Sequence, residues 1–175
     1  GCNKRITGPQ YMTAGMPDGG SCHPRDNIAM RWLAQEYDLG YDLFNSVMLA
    51  REVQAKNMAD AVVKQAKAHD MKVVIVGKAY KVDVEYIQGS GSILVAHYVK
   101  EAGVELHYYD THTGDLYQSE EPAVYLLAHN FGKISEENTT NSVIIPDGSV
   151  VIDPWRQYEN ENCTVIHFGN TRIHQ

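Results

Sequence analysis

Apolar residues recur at helical spacing before Lys72 and gather into short continuous runs after it. Residues 1 to 22 precede both textures. They are rich in glycine, proline and polar residues, with turn chemistry at Gly8-Pro9 and Met16-Pro17-Asp18-Gly19-Gly20, and read as loop. Pro24 suits the first turn of a helix, where its missing N–H leaves nothing unsatisfied, and Asp26 adds negative charge that this end favours. Ile28, Ala29, Trp32 and Leu33 keep the helical spacing until Gly40 breaks it. A longer helix follows Asp42, where Leu43, Phe44, Val47, Met48, Val53, Met58, Val62 and Val63 form an apolar stripe ending near His69. Roughly 27 residues at a rise of ~1.5 Å make it about 40 Å long. A stripe of that length needs a covering surface, which points to a dimer or interdomain helix ahead of a core helix.

Lys72 to Val76 reads as a short buried strand ending at Gly77, and a polar loop runs from Lys78 to Gly89. A helix from Ser90 to Ala102, closed by Gly103, leads to a second strand over Val104 to Tyr109 that ends at Asp110. This is one β–loop–α–β unit, and such a crossover implies parallel strands. Ala123 to Ala128, Ser149 to Ile152 and Thr164 to Phe168 are further strand candidates, while Gly132 to Asn141 is polar and reads as surface loop. Several short apolar strands with polar connections predict an α/β domain with a doubly wound parallel sheet. No internal repeat is present.

Composition narrows the function classes. With 175 residues, 43% hydrophobic and 21% charged, the chain is ordinary globular material. No apolar run approaches the ~20 residues that span a bilayer, and residue 1 onward shows no signal-peptide core, so a soluble cytoplasmic protein without a membrane partner is expected. A net charge of -7 argues against a nucleic-acid surface, though not against a local basic pocket for a small anion. Cys2, Cys22 and Cys163 are too few and scattered for a disulfide framework, and without a CxxC pair they do not indicate structural zinc.

Chemistry concentrates at Gly19-Gly20-Ser21-Cys22-His23-Pro24-Arg25-Asp26-Asn27. Two glycines let backbone approach a ligand closely. Cys22 then falls just before a helix N-terminus, where the dipole and free N–H groups favour thiolate, with Arg25 adding positive charge. Asp26, one helical turn on, is placed to activate water or move protons. Nucleophile, oriented backbone and acid/base group lie within eight residues, as covalent catalysis requires. The competing reading is a buried cysteine beside a helix cap, and His23 at such a place is more often a cap or packing residue.

The segment Gly19 to Asp26 (GGSCHPRD) resembles the catalytic signature of the nucleotide-sugar 6-dehydrogenases of the UDP-glucose/GDP-mannose type, commonly GGSCFPKD. Three further motifs follow in the family's order. Arg5-Ile6-Thr7-Gly8-Pro9 resembles its R-I-G-P segment, Val74 to Lys81 (VIVGKAYK) its strand–loop GLAFK, and Val150 to Arg156 (VVIDPWR) its late D-x-R segment. The resemblance implies a cysteine loop and central helical dimerisation segment over 1–70, then a Rossmann-like nucleotide-sugar-binding domain over 71–175. It also implies oxidation of a sugar CH₂OH to a carboxylate by two hydride transfers to NAD. Cys22 would hold the aldehyde and then a thioester, and water assisted by Asp26 would release the product. Gly19, Gly20, the Tyr80 backbone, Lys81 and Arg156 would contact the nucleotide sugar, and Arg5 the substrate of a neighbouring subunit in a homodimer.

The departures are specific. His23, Arg25 and Asn27 stand where Phe, Lys and Thr are commoner. After Lys81 the family's T-D-D-x-R-x-S becomes Val84-Glu85-Tyr86-Ile87-Gln88-Gly89-Ser90, retaining only the serine. No glycine-rich dinucleotide fingerprint opens the chain, so NAD is expected on an N-terminal domain absent from it, and the chain alone is expected to be inactive, as a fragment or half of a split enzyme. The alternative is a non-catalytic nucleotide-sugar-binding or assembly module drifted from that family. A standalone NAD-binding domain built on Gly77 is a poorer reading, since GKAYK lacks the further glycines.

Overall fold

The computed structural model describes residues 14–17, 19–131 and 143–169. Helix α1 spans Cys22–Glu36 and so begins at the cysteine itself, with Pro24 inside its first turn, where backbone N–H groups have no helical acceptor. Helix α2 spans Leu43–His69. The Asp42 carboxylate caps it by accepting from the Asn45 N–H at 2.8 Å, and Asp70 closes it in the left-handed conformation, the Met71 N–H returning to the Ala66 carbonyl.

The apolar stripe of α2 divides midway. Ala55, Met58, Ala59, Val62 and Ala66 are buried against α3 and the sheet, whereas Leu43, Val47, Leu49 and Val53 are exposed. Complete burial of Met58 and Val62 contributes roughly 1.5–3 kcal/mol each. Helix α2 therefore runs from the helical segment directly into the sheet's core.

The sheet comprises β1 (Val73–Val76), β2 (Leu106–Asp110), β3 (Asp115–Leu116), β4 (Val124–Leu127), β5 (Val150–Ile152) and β6 (Thr164–Ile166), with α3 (Gly91–Glu101) between β1 and β2. Its order is β3-β2-β1-β4-β5-β6, and every pairing is parallel except β2 with β3. This is a Rossmann-like α/β arrangement. All four residues of β1 and of β4 are buried, as strands covered on both faces must be.

The two faces of the sheet are covered differently among the described residues. Val73, Ile75, Val124, Leu126, Val150 and Ile152 meet α2 and α3 on one face, but Val74, Val76, Tyr125, Leu127 and Val151 meet Tyr109, Tyr158, Phe131 and Ile145 on the other. Among the described residues, helices cover only the first face. Strand β3 shortens one connection on that second face. By reversing direction it carries the chain back along β2, so the crossover to β4 needs only residues 117–123, with the Tyr117 ring stacked on His107 at 3.7 Å. Two residues in a polar turn have no readable period, and β3 was therefore not among the expected strands. The polar stretch 132–141 lies outside the described residues.

Candidate functional site

In a parallel sheet the carboxyl ends of the strands share one edge, and the loops that leave them form the natural ligand crevice. Here those loops follow β1 (78–90), β4 (128–131) and β5 (153–163), and the cysteine loop lies across two of them. Gly15 abuts the Trp155 ring, Gly19 packs on the Tyr80 carbonyl, and Gly20, at φ +96°, faces the Tyr80 ring. The Gly20 N–H donates to the Gly89 carbonyl at 3.0 Å. Gly89 has φ +71°, and a methyl there would overlap the Gly20 carbonyl. Both glycines thus serve the approach of two backbones, which no larger residue permits.

Because α1 begins at Cys22, Cys22 and Asp26 stand four residues apart on one helix face, and both are exposed. The Arg25 guanidinium binds Asp26 at 2.8 Å. Its own protonated form is held more firmly than usual, chiefly by that hydrogen bond and with a smaller contribution from Cys22. Reciprocally, the Arg25 hydrogen bond holds the Asp26 carboxyl below the ordinary range, so Asp26 is a carboxylate near neutral pH, the form that accepts a proton. The site thereby presents a thiol, a cation and a base on one exposed turn.

The loop after β1 is tied down from beneath. The buried Asp110 carboxylate accepts the Lys78 and Ala79 N–H groups at 2.8 and 2.9 Å, while the hydroxyls of Ser90 and Ser92 donate to the Ala79 and Lys78 carbonyls, each at 3.1 Å. Tyr80 and Lys81 are thus presented on a fixed base. The Tyr80 N–H meets the Tyr86 carbonyl, Tyr86 packs edge-on to the Tyr80 ring, and Lys81 Nζ lies 5.3 Å from that ring's centre. The altered segment Val84 to Ser90 therefore closes the loop upon itself.

On the far side, buried Asp153 accepts the N–H groups of Trp155, Gln157 and Tyr158 at 3.0, 2.6 and 2.9 Å. The resulting tight turn leaves Arg156 exposed at φ 58°, a conformation that costs a non-glycine residue roughly 1–2 kcal/mol. Between this turn and the loop 14–17 lies a cavity of about 410 Å³, walled also by Gln54 and Met58 of α2, Trp155 and Phe168. That volume suits part of a small-molecule ligand. Gln54, Trp155 and Phe168 were not anticipated, because no local pattern joins residues so far apart in the chain.

Of the expected site residues, Gly19 and Gly20 meet Tyr80, Cys22 and Asp26 follow on the exposed first turn of α1, and Arg156 is the exposed neighbour of the cavity-lining Trp155; Arg5 lies outside the described residues. The crevice between β1 and β4, where a dinucleotide would enter such a sheet, is filled. A Cβ on Gly77 would lie 2.5 Å from the His129 ring, whose Nε2 meets the Ala79 carbonyl at 2.8 Å, and a void of about 10 Å³ remains. The loop amides that would meet a phosphate already bind Asp110. The described residues thus leave no room for NAD between β1 and β4. Among them no group of His, Cys, Asp or Glu converges to hold a metal ion, and no helix is long and apolar enough to cross a membrane.

Fold and site together define a Rossmann-like α/β unit entered by two helices, the first starting at an exposed cysteine. Residues 1–55 match the UDP-glucose/GDP-mannose dehydrogenase family, central domain. The GDP-mannose 6-dehydrogenase of Pseudomonas putida is 27% identical over 161 residues, covering 91% of this chain and 32% of that protein. The UDP-glucose 6-dehydrogenase of Gallus gallus is 24% identical over 170 residues, covering 95% of this chain and 32% of the relative. The solved GDP-mannose dehydrogenase of Pseudomonas aeruginosa shares the fold, with a TM-score of 0.63 at 17% identity over 91% of this chain and 42% of its own. The chain is thus similar to UDP-glucose/GDP-mannose 6-dehydrogenases, and it spans about a third of the length of these curated relatives, 32% in each case.

Proposed function

We propose that this chain is the substrate side of an NAD-dependent nucleotide-sugar 6-dehydrogenase, with Cys22 as nucleophile and Asp26 as base. The observation that carries the reading is the joining of the Gly19–Cys22 turn to the Tyr80–Gly89 loop through the Gly20–Gly89 hydrogen bond. In this reading the Cys22 sulfur adds to the carbonyl carbon of a sugar aldehyde, and Asp26 takes a proton from the water that later releases the acyl group from sulfur. Lys81 and Arg156 supply positive charge for the phosphates, and Arg5 for the substrate of a second subunit. NAD, when bound, would accept the hydrides. Because the described residues leave no room for it between β1 and β4, we assign it to a part of the enzyme outside this chain, and expect no oxidation by the chain alone.

Relatives named for UDP-glucose and for GDP-mannose both match, so the nucleotide is to be read by experiment. A thermal-shift screen over UDP-, GDP- and TDP-sugars is expected to raise the melting temperature with one of them. At 100-fold excess over its dissociation constant, a single site adds about 2.7 kcal/mol. No response to any sugar overturns the reading. The exposed Trp32, Leu43, Val47, Leu49 and Val53 support a homodimer through α1 and the first half of α2. Sedimentation should find that dimer, and a strict monomer at high concentration excludes it.

A further inference from the structure

One carbonyl lies between the two loops of the site and α2. The Gly89 carbonyl accepts the Gly20 N–H at 3.0 Å and also the Arg51 guanidinium Nη2 at 3.0 Å. Arg51 stands on α2 where the helix passes from its exposed half to its buried half, and it is itself half-buried. Its neighbour Glu52 is engaged elsewhere, accepting the Tyr98 hydroxyl of α3 at 2.7 Å. A hydrogen bond from a charged donor is stronger than one between neutral groups, and partial burial strengthens it further. Gly89 has no side chain of its own to hold its peptide, and it stands at φ +71°.

We infer that Arg51 is a positioning residue. It fixes the Gly89 carbonyl from α2, and through that carbonyl sets the Gly20–Cys22 turn against the Tyr80–Lys81 loop. Cys22 itself is not touched by this route. The guanidinium is instead the third leg of a junction whose other legs are the nucleophile's turn and the ligand loop. This inference rests on the proposed function only for its second readout below.

Iodoacetamide labelling of the whole chain, resolved by peptide, tests it. Cys163, half-buried and bonded to the Pro146 carbonyl, serves as the internal reference for global opening. In Arg51→Met the Cys22 labelling rate relative to Cys163 should depart from the wild-type ratio by up to about tenfold, the factor equivalent to losing one charge-assisted hydrogen bond. Arg51→Lys should recover most of it. Val62→Ala, which loosens the buried half of the same helix, should leave the Cys22 rate where it was. The affinity for UDP-glucose or GDP-mannose, whichever binds, should weaken in Arg51→Met and recover in Arg51→Lys. An Arg51→Met chain with wild-type labelling overturns the inference, and so does a Val62→Ala chain with an equal departure. Failure of the wild type to bind either sugar overturns the proposed function instead, because the ligand-free labelling ratio still reports on Arg51.

Discussion

Replacing Gly89 with alanine loads the junction at its narrowest point. Two penalties arise. Placing a Cβ at φ +71° costs roughly 1–2 kcal/mol, and the added methyl overlaps the Gly20 carbonyl, with Ser21 N only 2.9 Å away. Relief requires the loops to part, which breaks the Gly20–Gly89 hydrogen bond, about 1 kcal/mol, and weakens the Arg51 contact. Against this, alanine restricts the unfolded chain and returns about 0.4–1 kcal/mol. The net expectation is a destabilisation of about 1–3 kcal/mol, or a fall in melting temperature of roughly 2–12 °C for a chain of this size. Gly103→Ala is the matched control, since Gly103 has φ +75° but nothing within 4 Å of an added Cβ. It carries the conformational cost alone, so the difference between the two variants isolates the contact. Urea unfolding followed by far-ultraviolet circular dichroism gives both free energies, and iodoacetamide labelling reports the Cys22 turn. Equal free energies for the two variants, with Cys22 labelled as in the wild type, would refute the close approach of the two loops.

Two other outcomes follow from the same structure. Burial pushes the Tyr125 and Tyr158 hydroxyls up to about 12, so their contribution to stability is complete below pH 10 and is lost as pH rises through about 12. At pH 11 each costs about 1.4 kcal/mol, and Tyr125→Phe should reduce the difference between urea unfolding at pH 8 and at pH 11, to which the raised Tyr98, Tyr108 and Tyr109 also contribute, whereas an unchanged difference contradicts its burial. Arg156→Gly removes a left-handed non-glycine residue and should leave stability unchanged or raised by up to about 1 kcal/mol, while weakening nucleotide-sugar binding measured by calorimetry. A clear loss of stability with binding intact would show that Arg156 supports the fold rather than the site.

The sequence was legible wherever local chemistry decided the outcome. Helix α2 appears over Leu43–His69, as Asp42 and the stripe to His69 predict, because capping and periodicity are written in neighbouring residues. The Gly-Gly turn was equally readable, since only glycine serves there. What escaped depends on residues that meet only after folding. Trp155 and Phe168 reach the loop 14–17 from the far end of the chain, and Asp110 becomes the acceptor for Lys78 and Ala79 across 32 and 31 positions. The short connection from β2 to β4 likewise depends on two residues, Asp115 and Leu116, that turn the chain back.

Helix α2 is a single element with two unequal fates. Its last turns sit in the core beside β1 and β4, while its first turns present Leu43, Val47 and Leu49 to water. Amide hydrogen exchange should therefore grade along one continuous helix, fast before Arg51 and as slow as global unfolding beyond Ala55. The nucleophile's turn is joined to the helix at the border between these regimes. Anything that covers the early turns would move that border outward and stiffen Cys22's surroundings without touching them.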